Sequence, residues 1–372
     1  PTVGMVFAPM NHFMGRHQVF TTLSPGGTAF YTASPDLSLL FEDIRLARPT
    51  FLYFFPRVFE LIYQYYHGEV VRRTAEGSDA AKIDAEVRAE MRANFLGDRL
   101  RGGTIGSAPV AAEVKRFVCE CFDILLLEGY GSTESGIMLT LNDRVLRPPV
   151  IDYKLKDVPD LGYYRTDKPF PRGELCVKST LQSPGYFKNP EATAALFDED
   201  GYVMTGDIME ERGPDNLVYI DRRNDVLKLS QAEFVAVGAL GAAFESSAAI
   251  KQIYVYGNSA RAYLLAVVVP DMDVVAQKIG GAADAAALKA LIRSEMQEVA
   301  RSARLRSFEV PRDFLIESEP FSFENGLLTS VRKRSRPALK RKYGERLEAL
   351  YLEIERKRQQ ELAALKDPKS PL

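Results

Sequence analysis

The sequence has little from which to build a metal centre or a disulfide framework. Its three cysteines, Cys119, Cys121 and Cys176, are an odd number. The single C-x-C pair has no histidine cluster beside it. The three histidines, His12, His17 and His67, do not fall at a ligand spacing. Neither a stapled secreted fold nor a zinc site fits this pattern, and a reducing cytoplasm is the expected location. Charge of one sign is also lacking: 48 Lys and Arg against 50 Asp and Glu leave a net −2. That balance gives no bias toward nucleic acid or an anionic membrane. No apolar run reaches the length of a membrane-spanning helix, so no stable membrane insertion is expected. The longest conspicuous run, Tyr263 to Val269, reads as a buried strand. An initiator methionine and a leader are missing too. Residue 1 is proline, and the chain is expected to begin inside a domain.

What remains is an ordinary globular composition, and 372 residues suffice for two or three domains. Helices are expected over Asp36 to Ala47, Arg57 to Tyr66, Asp79 to Phe95 and Val110 to Cys121. Short apolar strands at Phe51 to Phe55, Thr104-Ile105 and Ile124 to Leu127 alternate with them. This alternation predicts an α/β layer with a parallel sheet. On the third helix, Asp84 and Arg88 stand in the favourable i,i+4 order. The aromatic strip Phe51, Tyr53, Phe54 and Phe55 is expected in the core. From Gly173 to Ile220, frequent Gly, Pro, Asn and Asp predict an antiparallel β subdomain. Arg223-Asn224-Asp225 is a candidate hinge. Beyond it, Phe234 to Phe244, strands at Ile253–Tyr256 and Tyr263–Val269, and a helix over Ala285–Ala303 predict a small α+β lid. A charged helix over Glu345 to Leu365 is expected to end in the linker Lys366-Asp367-Pro368.

Four short segments carry chemistry. The apolar run Ile124 to Leu127 leads into Gly129-Tyr130-Gly131-Ser132-Thr133-Glu134, read as a Gly-rich loop. Glycines would let backbone N–H groups approach an anion. The Thr133 hydroxyl could donate to a phosphate oxygen, and the Glu134 carboxylate could hold a magnesium ion. Downstream come Thr205-Gly206-Asp207, then Asp221-Arg222-Arg223-Asn224-Asp225-Val226-Leu227-Lys228, then Asn325-Gly326 with Lys333 close behind.

This ordered set resembles the adenylate-forming superfamily of acyl-CoA synthetases, peptide-synthetase adenylation domains and luciferases, over nearly the whole chain. Longer strings narrow the resemblance. Val218 to Gln231, Ile253 to Ala260, Tyr263 to Pro270, Arg147 to Leu155 and Asp157 to Tyr163 look like the adenylation domain of carboxylic acid reductases.

The resemblance implies a fold and a reaction. The fold is α/β: a partial large α/β subdomain with its β subdomain over residues 1–223, and a mobile small α+β lid over 224–345. Residues 346–372 would lead toward a carrier domain. The reaction is attack of a carboxylic acid, fatty or aromatic, on the α-phosphorus of ATP to give acyl-AMP. Transfer to a phosphopantetheine thiol on a carrier domain in cis follows. A further domain, outside this chain, would use NADPH to release an aldehyde. The alternatives are a long-chain fatty acyl-CoA ligase and a nucleotide-binding fragment without turnover on its own. The superfamily's phosphate loop, ending in Pro-Lys-Gly, has no counterpart here, so the fragment alone is expected to be inactive.

The implied roles fall residue by residue. Thr133 would donate to the α-phosphate and Glu134 would bind Mg2+. Tyr130 would pack against adenine, with Gly129 and Gly131 flanking it and Ser107, Ala108 and Pro109 lining the other face. Glu128 stands where the reductases usually carry aspartate, at the contact to the adenine amine. Asp207 would accept from both ribose hydroxyls, with Tyr219, Arg222 and Lys228 completing the nucleotide pocket. Lys333 would bridge the substrate carboxylate and the α-phosphate, and His12 would stand at the mouth of the acyl pocket. Ala232 replaces a usual glycine, which would narrow the path of pantetheine.

Overall fold

The computed structural model describes residues 2–34, 39–74, 79–106, 110–231, 233–281, 284–329 and 332–365. The chain opens with β1 (Val3–Val6), α1 (Phe13–Leu23) and β2 (Thr28–Tyr31), and β1 pairs with β2 in parallel. Then follow α2 (Leu40–Ala47), β3 (Phe51–Phe54), α3 (Pro56–Thr74), α4 (Ala80–Asn94), β4 (Gly102–Ile105) and α5 (Ala112–Phe122). Ile83, Val87 and Met91 bury one stripe of α4, and Asp79 caps its start by accepting from the Ala81 N–H. The Asp84–Arg88 pair forms at 2.9 Å. Helix α3 runs past the expected Tyr66 because its apolar face continues through Val70 onto the same core. In the aromatic strip only Phe54 is fully buried; Phe51, Tyr53 and Phe55 keep partial exposure.

Next come β5 (Leu125–Ser132), β6 (Gly136–Leu141), β7 (Arg144–Val145), β8 (Val150–Lys156), β9 (Arg172–Ser179), α6 (Pro190–Leu196), β10 (Val203–Gly213) and β11 (Asn216–Arg222). One nine-stranded sheet unites β3 to β11 in the order β3-β4-β5-β6-β7-β11-β10-β9-β8. Strand β5 makes the join. Its first half pairs in parallel with β4, from Leu125 to Glu128. Its second half pairs antiparallel with β6, from Gly129 onward. The expected antiparallel β subdomain is therefore continuous with the parallel layer. Two separate cores result, one under Leu52, Phe54, Ile62 and Val87, the other under Leu139, Leu175, Val203 and Leu217.

A short 3-10 turn at Arg223–Asp225 follows. Beyond it lie β12 (Val226–Lys228), β13 (Phe234–Ala236), α7 (Val237–Phe244), β14 (Ile250–Tyr256), β15 (Leu265–Pro270), α8 (Met272–Ile279), α9 (Ala285–Ser302), β16 (Asp313–Ile316) and α10 (Arg336–Leu365). Side chains of β15 alternate between two apolar layers. Ala266 and Val268 meet α7, α8 and α9, while Leu265, Val267 and Val269 meet α10. This explains why the run reads as continuously hydrophobic. Helix α10 begins at Arg336, well before the expected Glu345. Leu339, Tyr343, Leu347 and Tyr351 are fully buried against the sheet, so this helix completes the lid core and the division at 345 falls inside it. Pro337 at its second position suits a helix start, which is the signal the charged sequence obscures. A small cluster, Val158, Tyr163, Ile208 and Val226 with Phe234, bridges the two bodies.

Candidate functional site

A distorted strand aims the central carboxylate. The β10–β9 register shifts between Met204 and Ile208, so Thr205-Gly206-Asp207 forms a bulge that redirects its side chains. Gly206 has φ +69° with open space around it, so its conformation, not crowding, requires glycine. The Thr205 hydroxyl donates to the Leu175 carbonyl at 2.8 Å and accepts from the Asp207 N–H at 3.1 Å. The Gly206 N–H goes to the buried Glu174 carboxylate at 3.1 Å, whose other oxygen holds Arg223 at 3.1 Å.

The Asp207 carboxylate is 3% exposed. Oδ2 accepts from the Tyr130 hydroxyl at 2.7 Å. Oδ1 lies 2.9 Å from Arg222 Nε, yet that N–H is not aimed at it, and Oδ1 is buried without a hydrogen bond. Burial pushes the Asp207 pKa up, against the pull of Arg222 and Tyr130. Arg222 stands opposite Asp207 in the β10–β11 ladder. The Tyr219 ring lies 6.3 Å from Tyr130.

Lys333 reaches the same place from the lid. It sits on a loop in which its N–H donates to the Thr329 hydroxyl at 3.1 Å and its carbonyl accepts from the Thr329 N–H at 2.7 Å. Solvent still touches Lys333. Even so, the surrounding protein and then Arg222 lower its pKa, while Asp207 raises it. The neighbouring cations are engaged elsewhere: Arg334 pairs with Glu245, and Arg336 with Asp225 at 3.2 Å. Two of the three residues that follow Lys333 are thus arginines held by carboxylate partners.

His12 caps α1, its Nδ1 accepting from the Met14 N–H at 3.2 Å. Partial burial, then the charges of Lys333 and Arg16, lower its pKa. A neutral ring with Nδ1 as acceptor carries its proton on Nε2. Lys333 lies within electrostatic reach of this ring.

The Gly129–Glu134 segment differs from the expected loop. Gly129 and Gly131 lie in β5, and Thr133 and Glu134 form the turn into β6. A methyl on Gly131 would come 2.5 Å from the Gly136 carbonyl, so glycine serves a close strand approach here. Thr133 is exposed at the turn. Tyr186 donates its hydroxyl to Glu134 Oε1 at 2.9 Å. Glu134 also adds to the electrostatic environment of Arg222. Among the described residues no cluster of three His, Cys, Asp or Glu could hold a metal alone. One carboxylate suits magnesium that takes its other ligands from phosphate and water.

Three expectations fare differently. Glu128 pairs with Lys115 on α5, so its carboxylate is already engaged. Lys228 lies over the Phe234 ring at 5.4 Å and is not drawn to Asp207. Ser107, Ala108, Pro109 and Ala232 lie outside the described residues. Sequence reasoning overlooked Glu174, Tyr186 and Asp221, a carboxylate on β11 that is 2% exposed. Glu174 and Tyr186 belong to no short motif, and Asp221 opens the hinge segment with no role assigned to it; only a charge in a buried strand position marks Glu174 and Asp221.

A family model described as "AMP-binding enzyme" matches residues 2–187. A carboxylic acid reductase of Mycobacterium tuberculosis is 51% identical over 375 residues, covering 100% of this chain and 32% of that protein. The A domain of carboxylic acid reductase from Segniliparus rugosus, solved with AMP and a co-purified carboxylic acid, superposes with TM-score 0.89 at 46% identity. It covers 95% of this chain and 55% of that one. The A-PCP didomain from the same organism, solved with AMP, gives TM-score 0.90 at 45% identity, over 99% of this chain and 51% of that one. The chain thus spans about a third of the curated relative and about half of each solved structure.

Proposed function

Since the chain belongs to the AMP-binding enzymes, we propose that it activates a carboxylic acid to acyl-AMP as part of a carboxylic acid reductase. The carrying observation is Asp207 Oδ1, a buried acceptor without a hydrogen bond, within electrostatic reach of Lys333 and beside Arg222. An acceptor of that kind fits a ribose hydroxyl, and two cations fit phosphate. The AMP bound in the Segniliparus rugosus structures supports the same assignment by similarity.

Two anions meet in this reaction, so the protein's work is positioning and charge neutralisation. Asp207 takes the ribose, with Arg222 beside it. Tyr130 turns its ring toward adenine once its hydroxyl yields Asp207 to the diol. Lys333 brings one positive charge to the point where carboxylate and α-phosphate converge. In this arrangement Lys333 is exposed, with Asp207 and Arg222 within electrostatic reach of it. His12, neutral, offers Nε2–H at the acyl side. Thr133 donates to the phosphate. Glu134, oriented by Tyr186, would hold magnesium, which supplies further neutralisation of phosphate charge when bound.

The turn Arg223–Asp225 separates the two bodies, and we assign it the hinge about which the lid turns between acid activation and thiol transfer. A phosphopantetheine thiol on a carrier domain in cis is the proposed acceptor, and an NADPH-dependent reduction outside this chain is the proposed last step. The test is pyrophosphate release by the complete protein with a panel of fatty and aromatic acids. Acid-dependent release followed by loading of a phosphopantetheinylated carrier supports the reading. Nucleotide binding without release under any acid overturns it.

A further inference from the structure

We propose that Asp221 is a positioning residue, and that α7 is a strut carrying its hold across the hinge to Lys333. The inference rests on the reading above, in which the residues after Asn224 move as a body.

Asp221 belongs to the large body. It lies in β11, opposite Ile208, one residue before the Arg222 that flanks Asp207. Its carboxylate has two backbone donors. Oδ1 accepts from its neighbour Arg222 N–H at 2.8 Å. Oδ2 accepts from Gly238 N–H at 2.9 Å. Gly238 is in the first turn of α7, beyond the hinge, where helix N–H groups lack partners within the helix. One buried oxygen thus ties the large body to the lid.

The fit at Gly238 is close. A methyl there would stand 2.7 Å from Asp221 Oδ1 and 3.2 Å from Oδ2. Any larger residue would push α7 off β11. The far end of α7 is equally occupied. Glu245, its C-cap, is 3% exposed and receives the Ile253 N–H at 2.9 Å. Glu245 also pairs with Arg334, the residue after Lys333, and Gly241 leaves room for that guanidinium. An eight-residue helix is about 12 Å long and stiff. Asp221 therefore fixes one end of a rod whose other end holds the Lys333 loop. When the lid turns, the Asp221–Gly238 bond must break, so the bond belongs to the acid-activating arrangement alone.

The test uses the complete protein and separates its two half-reactions. Asp221→Asn replaces a carboxylate by a group with one acceptor oxygen. Gly238→Ala attacks the same contact from the lid side and serves as the second variant if the first folds poorly. Each should lower the rate of acyl-AMP formation roughly tenfold, the scale of a lost hydrogen bond to a charged group. The KM for ATP should change less than about twofold, and transfer from preformed acyl-AMP should be retained. The double variant should be no slower than the worse single one. Equal loss in both half-reactions, a loss carried by the ATP KM, or wild-type rates would each overturn the latch. Hydrogen exchange at the Gly238 amide reads the contact without catalysis. It should quicken in Asp221→Asn even if no acid is activated by the wild type, a result that would sink the functional reading alone. Unchanged exchange would sink the latch.

Discussion

Tyr130 of β5 and Asp207 of β10 are joined, phenol to Oδ2, at 2.7 Å. The contact leaves Oδ1 of the Asp207 carboxylate buried without a hydrogen bond, and this is the oxygen proposed to take a ribose hydroxyl.

Asp207→Ala should weaken AMP and ATP binding by about 1.5–3 kcal/mol, the range for hydrogen bonds to a charged group. Calorimetric titration of the complete protein with AMP measures this. An affinity equal to wild type would remove Asp207 from the nucleotide site. Tyr130→Phe should lower stability by about 1–3 kcal/mol, because a buried oxygen loses its donor. A urea midpoint unchanged from wild type would contradict that.

Lys333→Ala should slow acyl-AMP formation by about 10²–10³, with transfer from preformed acyl-AMP surviving. Arg334→Ala should act chiefly on stability, since it takes the cation from the buried Glu245, a loss of about 3–5 kcal/mol, and should slow adenylation only about tenfold as the Lys333 loop loses that hold. Melting temperature and the two half-reaction rates, taken together, distinguish these outcomes. If both variants melted alike and slowed adenylation alike, the basic run would act as a diffuse field.

His67 should subtract stability as pH falls below 6.5. Burial between α3 and the lid lowers its pKa to about 4, with Glu113 and Glu295 opposing and Lys278 and Arg88 assisting. Tyr63 and Tyr66 meet it edge to face. The unfolded chain takes a proton below 6.5 while the folded one refuses it until about 4, so the loss grows through that window. A gap of this size is worth at most about 3 kcal/mol, and residual solvent contact reduces it. Asp221 works in the other direction. Its pKa is raised to about 6 by burial, so its contribution is complete below 3.8 and lost as pH rises through about 6. Urea unfolding of wild type and His67→Gln from pH 4 to 7 isolates the histidine. Parallel curves would refute its role.

Tyr186→Phe should raise the magnesium concentration needed for half-maximal acyl-AMP formation by about 2–10-fold, the worth of one hydrogen bond. Saturating magnesium should restore the rate. A lower rate at every magnesium concentration would mean that Tyr186 touches substrate, not the metal ligand.

The adenylate-forming fold expected from the motifs is the one the chain adopts. Asp207, Arg222 and Lys333 were legible because each sits at a fixed offset from a turn signal. The lid strands were legible because β15 is buried on both faces. Other features depend on partners far away in the chain, which leave no local pattern. Tyr186 meets Glu134 from 52 residues off, and Arg334 meets Glu245 from 89. The Gly129–Gly131 segment misled for a related reason. Glycine there satisfies the backbone of β6, and a close strand looks in sequence like an anion loop. Helix α10 was cut short because its buried Leu339 and Tyr343 are separated by lysines and arginines whose stems cover the apolar face.

The double allegiance of β5 has a kinetic consequence. Its second half needs only a hairpin with β6, a contact of short sequence separation that closes early. Its first half must wait for β4, which arrives across α5. During that interval Leu125, Leu126 and Leu127 form an unpaired apolar edge, the kind of surface on which nascent chains stick to one another. Yield on refolding should therefore depend on chain concentration, and the step that protects this protein from aggregation is the arrival of Gly102–Ile105 beside that edge.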